Sequence, residues 1–279
     1  MSTPPGWRHQ FALPPGWRPS FALPPGWRPL LALPPGWRPL LALPPGWRPL
    51  LALPPGWRHR HYDSVTSTSD ICVALATAGE PAGLAITADR QTAARGSRGR
   101  EWTTLPGNLA LSVLLRPTGP AADAGQWSLL AAVAVHAALA GSGVVLKWPN
   151  DLMVDGRKLG GILIDSGVTP QGGIAWLVMG IGLNLAAAPD GAAVLPRDAA
   201  TVAPAILGQL DEWNRVRLID GFGPIRRAWM DRGPAHGQPM QVGTVAGTYD
   251  GLDDRGALLL HTGSRVDAFS TGDVVMAAP

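Results

Sequence analysis

Between Lys147 and Asp165 the chain reads KWPNDLMVDGRKLGGILID, which gathers two lysines, an Asn-Asp pair and a glycine doublet into two short apolar stretches. Asp155-Gly156 is a strong two-residue hairpin signal, because a type I′ turn needs positive φ at both central positions and these residues tolerate it. Lys158 then begins the return strand. Gly160 and Gly161 carry no side chains that would hold a ligand off, so backbone can approach a bound molecule closely and the strand accommodates something flat. The plain alternative is an ordinary hairpin with a solvated lysine.

A second segment, Gln91 to Trp102, reads QTAARGSRGREW and sets Arg95, Arg98 and Arg100 among two glycines. Glycines let successive backbone N–H groups converge, and guanidinium groups add bidentate donors suited to phosphate oxygens. An exposed basic turn has the same composition. No Gly-Lys-Ser/Thr follows, as a Walker loop requires, and no Gly-x-Gly-x-x-Gly opens a helix, so neither P-loop nor dinucleotide chemistry is indicated.

These segments need elements to hold them. The pattern predicts helix at Ser69–Ala78 and strands at Leu84–Ala88 and Leu109–Leu115. A buried helix is expected at Gln126–Ala140. Val144–Trp148, Asp151–Val154, Lys158–Asp165 and Ala175–Ile181 are strand-like and separated by turns too short for helices, so the sheet is expected to be largely antiparallel or mixed, unlike a Rossmann sheet. Two further helices are expected at Ala200–Trp213 and Arg217–Asp231, with a boundary at Gly233-Pro234. Beyond it, strands at Gln241–Tyr249, Ala257–Thr262, Ser264–Ser270 and Val274–Met276 suggest a small barrel.

Ahead of all this stand six copies of PPGWR spaced ten apart, starting at Pro4, Pro14, Pro24, Pro34, Pro44 and Pro54. Ten residues is too short for a helical hairpin, and each Pro-Pro-Gly stops a helix, so residues 1–58 read as an irregular, disordered extension. A polyproline ligand and an apolar self-association patch are the alternatives. This tail also distorts the charge. The first 60 residues hold seven of the 23 basic residues and none of the 20 acidic ones, so residues 61–279 carry a formal charge of −4 although the sequence pI is about 9.6. The body therefore offers no footprint for nucleic acid. Cys72 is the single cysteine, which excludes an internal disulfide, fits a reducing cytoplasm and reads as a small buried hydrophobe. No signal peptide or long apolar span is apparent, so no membrane is expected. The histidines suggest no metal cluster, and His136 reads as structural.

SVTSTSD (Ser64–Asp70), QTAARGSRGREW, KWPNDLMVDGRKLGGILID and MGIGLNLA (Met179–Ala186) resemble, in order and spacing, the signature segments of biotin-protein ligases, in the monofunctional form without a DNA-binding domain. The resemblance covers about Leu53 to Pro279. It implies an α+β fold, with a mixed-sheet catalytic domain related to class II aminoacyl-tRNA synthetases at 59–233 and a small SH3-like β-barrel at 234–279. It also implies a cytoplasmic enzyme that uses ATP and Mg²⁺ to turn biotin into biotinyl-5′-adenylate. The acyl group then passes to a lysine of a biotin carboxyl carrier protein domain, as in acetyl-CoA carboxylase or a related carboxylase.

Position by position, the resemblance assigns Ser67, Thr68 and Ser69 to the ureido ring of biotin and Gln91 to the same pocket. Arg95, Gly96 and Ser97 fall on the closing loop over biotin and adenylate, which continues through Arg98 and Arg100. Lys158 contacts the biotin carboxylate and α-phosphate region, with Gly161 close by. Asn150 and Asp151 match the polar pair near the nucleotide, beside Lys147, and Trp102 and Asn184 line the adenylate site. Lys158, Arg95 and Asp151 are the catalytic candidates, Asp151 orienting either the acceptor amine or the metal; metal ligands stay unassigned. Ser67 or Ser69 could instead simply cap the following helix. Three positions depart from the family pattern: Ser69 stands for Asn, Ala94 for the first Gly of a Gly-Arg-Gly-Arg run, and Ser97 for its second Arg. The competing readings are a lipoate-protein ligase-like transferase, which would want a longer apolar slot, a biotin-sensing repressor, and a degenerate ligase acting as an interaction protein.

Overall fold

The computed structural model describes residues 53–276. The expectation of an irregular tail falls, for residues 1–52, outside the described residues.

One sheet dominates. Its strands are β1 (Arg58–Val65), β2 (Leu84–Gln91), β3 (Leu109–Leu115), β4 (Val145–Lys147), β5 (Asp151–Val154), β6 (Arg157–Val168) and β7 (Ile174–Leu183), in the order β1-β2-β3-β7-β6-β5-β4. β1 and β2 run parallel because α1 (Thr68–Thr77) supplies the crossover between them. All other neighbours are antiparallel, as short connections require. A second, antiparallel sheet follows: β8 (Pro239–Val242), β9 (Val245–Leu252), β10 (Leu258–Thr262), β11 (Arg265–Phe269) and β12 (Val274–Met276), in the order β11-β10-β9-β8-β12. The α+β class expected from the sequence is the class observed.

The larger sheet is covered on both faces. On one, Cys72 and Ala76 of α1 pack with Leu84, Ile86, Leu114 and Val178. Burial pushes the Cys72 thiol up to about 12, with Asp165 and Glu80 adding to the effect, so it behaves as a hydrophobe. On the other face lies α2 (Ala124–Ala138), whose residues from Gln126 to Val135 are all buried. A helix buried all round belongs to a core rather than a surface. α3 (Ala199–Asp220) and α4 (Gly223–Met230) close over it, and the same apolar cluster runs on through Met240, Tyr249, Leu258 and Leu260 of the second sheet. Trp148 Nε1 also donates to the Gly256 carbonyl at 3.0 Å. The two sheets therefore share one core.

Three expectations are corrected, and one strand was not expected. The tail expected to run to Arg58 ends earlier: Leu53 packs on the core and Trp57 is buried within it. Residues 58–65 form β1, whose run RHRHYDSV alternates charged with half-buried positions and reads poorly as a strand. The helix expected to break between Trp213 and Arg217 continues to Asp220 and stops at Gly221, where φ is +73°. Nothing between 213 and 217 interrupts it, and the Arg217 guanidinium sits 4.5 Å from the Trp127 ring centroid, anchoring the last turn. The single strand expected at Gln241–Tyr249 is a hairpin: Val242 pairs with Val245 around Gly243, whose φ of +59° turns the chain.

Candidate active site

The hairpin signal holds. Val154 pairs with Arg157 across Asp155 (φ +49°) and Gly156 (φ +72°), which aims Lys158 at the neighbouring strand β5. There Lys158 Nζ lies 2.5 Å from Asp151 Oδ1, and Lys147 Nζ lies 3.7 Å from Asp151 Oδ2. Asp151 is only 14% exposed, so the two ammonium groups compensate a carboxylate that could not stand there alone.

The glycine doublet divides its work. A Cβ at Gly160 would meet the Gly182 carbonyl at 2.5 Å, so this glycine lets β6 and β7 pack closely. Gly161 faces the cleft, and a Cβ there would come within 3.4 Å of Lys158 Nζ. Two further cleft glycines, Gly180 and Gly182, stand on β7 beyond the residues the sequence points to. A Cβ at Gly180 would meet Ser69 Oγ at 2.4 Å, and one at Gly182 would meet the Trp102 indole at 2.7 Å. Their alternation in MGIGLNLA is the signal for a strand face kept bare.

Together these elements enclose a cleft of about 290 Å³. Ser67, Thr68, Ser69, Gln91, Arg95, Gly96, Ser97, Lys158 and Gly161 all line it, as do Arg100, Trp102, Asn150 and Asn184. Its closed end is a knot of hydroxyls. Thr68 Oγ1 and Ser69 Oγ lie 2.8 and 3.0 Å from Ser112 Oγ, a buried residue that local sequence patterns could not reveal. Gln91 Oε1 accepts from the Thr68 backbone N–H at 2.8 Å, while its Nε2 donates to Thr104 Oγ1 at 2.8 Å. Ser67 both lines the cleft and caps α1, accepting from the Asp70 N–H at 3.4 Å.

The basic loop closes the other end. Gly96 N–H donates to the Arg100 carbonyl at 2.7 Å and Trp102 N–H to that of Ala94 at 3.0 Å, drawing residues 94–102 into a tight turn. Arg95 reaches across the mouth, with Nε 2.7 Å from Asp70 and Nη2 3.0 Å from Asp165. Burial works against its charge, but Asp165 and Asp70 outweigh this and hold the proton more firmly than usual. Trp102 lies over Gly182, and Lys158 Nζ stands 5.7 Å from its ring centroid, within cation–π range.

Three of the expected residues do not line the cleft. Arg98, at φ +58°, turns away to Asp273 at 2.6 Å and Thr271 at 3.2 Å in the turn between β11 and β12. Lys147 and Asp151 stand behind Lys158 rather than on the wall. As for a metal, the one clustered donor set among the described residues is His61, Asp63 and Asp89, whose ligand atoms lie within 4.8 Å of one another. None of the three lines this cleft.

A hydroxyl-lined end joined to a cationic end suits a neutral polar ring with an anionic tail. Comparison with known proteins agrees. The profile of the Biotin/lipoate A/B protein ligase family matches residues 62–184. A biotin--[acetyl-CoA-carboxylase] ligase of Paracoccus denitrificans is 39% identical over 202 residues, covering 63% of this chain and 83% of the relative. The chain belongs to the biotin protein ligase family. The bifunctional ligase/repressor BirA of Bacillus subtilis is 32% identical over 77% of this chain and 72% of that protein. In fold, a biotin protein ligase from Aquifex aeolicus, solved in complex with biotin and ATP, matches with a TM-score of 0.67 at 24% identity, covering 80% of this chain and 99% of that one.

Proposed function

We propose that the chain activates biotin with ATP and Mg²⁺ as biotinyl-5′-adenylate and transfers the acyl group to a lysine on a biotin carboxyl carrier domain, as in acetyl-CoA carboxylase. The observation that supports biotin over lipoate is the polar group formed by buried Thr68, Ser69 and Ser112 with half-buried Gln91 at one end of the cleft. A ureido ring offers N–H donors and a carbonyl acceptor to such a group. An apolar dithiolane offers these groups nothing, leaving them only the bonds they make to one another and to Thr104.

In the first step a biotin carboxylate oxygen bonds to the α-phosphorus and pyrophosphate leaves. Two anions approach, and charge builds on the phosphoryl oxygens. Lys158, with Arg95 and Arg100 on the loop, supplies fixed positive charge at that end of the cleft. In the second step the acceptor amine bonds to the acyl carbon and AMP departs. Asp151, paired with Lys158 behind the wall of the cleft, would reach that amine only if Lys158 moved aside, and otherwise would act by holding Lys158 in place. Both of its oxygens already face ammonium groups, Lys158 at 2.5 Å and Lys147 at 3.7 Å, so it would meet the nucleotide's Mg²⁺ only through water or by giving up one of them. The ion, when bound, supplies charge neutralisation on the phosphates. Ser67, Thr68, Ser69, Gln91, Gly96, Ser97 and Gly161 would hold biotin, and Arg100, Trp102, Asn150 and Asn184 the adenylate. Arg98 would act by fastening the loop to the β11–β12 turn, and Lys147 by pairing with Asp151.

We further read Leu53–Gly233 as the ligase body and residues 234–279 as its small β unit, acting in the cytoplasm. No helix among the described residues is long and apolar enough to cross a membrane. Biotin-dependent exchange of labelled pyrophosphate into ATP tests the proposal. Exchange with biotin and not with lipoate is expected; the reverse preference would replace it with a lipoate ligase.

A further inference from the structure

The sixth PPGWR copy is bound to the fold as a ligand would be. Leu53 packs on the core, and Pro54 Cγ lies 3.9 Å from where a Cβ on Gly208 of α3 would stand. Trp57 N–H donates to the Pro54 carbonyl at 3.3 Å across Gly56, whose φ is +89°. The Gly56 carbonyl is pressed against Gly83, where an added Cβ would come within 2.6 Å of it. Trp57 is 8% exposed and its Nε1 donates to Asp211 at 2.8 Å. Arg58 pairs with Glu80 and donates to the carbonyls of Pro81 at 2.7 Å and Ala82 at 3.2 Å. The slot thus reads leucine, proline, glycine, tryptophan and arginine at fixed spacing.

Every group seated in the slot belongs to the string LPPGWR, which recurs unchanged at residues 13–18, 23–28, 33–38 and 43–48. The slot contacts named above cannot tell these copies apart. The first difference comes after the arginine, where His59 continues into β1 and Pro49 would not, since proline has no N–H for the ladder.

We propose that this slot is a receptor for the repeat itself, and that the fifth copy, Leu43–Arg48, replaces the sixth in it by a ten-residue register exchange within one chain. Arg48 takes the place of Arg58, and residues 49–58 loop out before β1 resumes at His59. A ten-residue loop with adjacent ends is within the range of compact Ω-loops. The sixth copy holds the slot in the intact chain because it loops out nothing. Among the others the fifth is preferred, since each doubling of loop length lowers the population roughly threefold. Loss of the sixth copy therefore leaves the slot filled.

The test uses the full chain. Trp57→Ala should lower the thermal midpoint by less than half the shift seen when all six repeat tryptophans, Trp7, Trp17, Trp27, Trp37, Trp47 and Trp57, are changed to alanine. In the Trp57→Ala background, Gly208→Cys combined with Pro44→Cys should form an intrachain disulfide under mild oxidation, mapped by mass spectrometry. Gly208→Cys with Pro54→Cys serves as the reference in the unexchanged chain, and the buried Cys72 thiol stays out of the reaction. Equal shifts for the single and sixfold variants, failure of both to fold, or a disulfide found only between two chains would overturn the proposal.

Discussion

Removing the Lys158 ammonium should separate chemistry from stability, and the structure sets both magnitudes. The side chain is 37% exposed and pairs at 2.5 Å with Asp151, which is 14% exposed. Deleting a charge beside a buried carboxylate usually costs several kcal/mol, because the partner is left alone. Here it is not left alone: Lys147 stays 3.7 Å from the other carboxylate oxygen. The folding cost of Lys158→Ala should therefore be that of a screened pair, about 1 kcal/mol or less, or roughly 2–4 °C in midpoint for a body of this size. The catalytic cost should be that of a preorganised cation lost from the reacting phosphate, about 2.7–4 kcal/mol, a hundred- to thousandfold in rate. Biotin-dependent pyrophosphate exchange and thermal unfolding, run on the same preparation, read the two numbers. Lys158→Arg should recover part of the rate, since charge is kept but the fork is wider. Exchange within about threefold of the parent rate, or a midpoint loss above roughly 10 °C, would refute the placement of Lys158 at the α-phosphate.

Gly182→Ala should impair adenylation while folding nearly normally, because its Cβ displaces only the Trp102 indole. Gly160→Ala should cost stability instead, because its Cβ meets backbone at the Gly182 carbonyl; activity and melting curves for the pair check this. His59, with its pKa lowered to about 4 by burial and then by neighbouring His61, stays neutral in the fold. The unfolded chain binds the extra proton first, so stability is complete above about pH 6.5 and falls toward pH 4, by roughly 2 kcal/mol at pH 5. In His59→Gln that acid loss should shrink, as denaturant titrations at pH 7 and pH 5 would show; an unchanged loss would contradict it. Ser97→Arg should restore a guanidinium to the closing loop and slow adenylate release. Equal dissociation rates for parent and variant would count against a retaining role for position 97.

The site was legible where its signals are local. Asp155-Gly156 forces a hairpin whatever surrounds it, so Lys158 and Gly161 could be placed from a dozen residues. The basic loop was equally visible, and most of its residues reach the cleft. What escaped depends on partners far along the chain. Ser112 joins Thr68 and Ser69 from a different strand, and Asp165 meets Arg95 across 70 positions. Arg98 looked like its neighbours in sequence, but a positive φ turns it toward the second sheet. β1 was hidden because an edge strand with charged residues on its open side has little apolar alternation. Trp57 was hidden by repetition: six identical motifs read as one kind of polymer, although the last is part of the core.

Incubating the full chain with biotin, ATP, Mg²⁺ and a purified carrier domain, and weighing that domain by intact mass spectrometry, tests the ligase assignment most directly. The carrier should gain one biotinyl group on a single lysine, and should gain none when biotin is replaced by lipoate. A carrier that stays unmodified beside a control ligase that labels it fully would contradict the assignment.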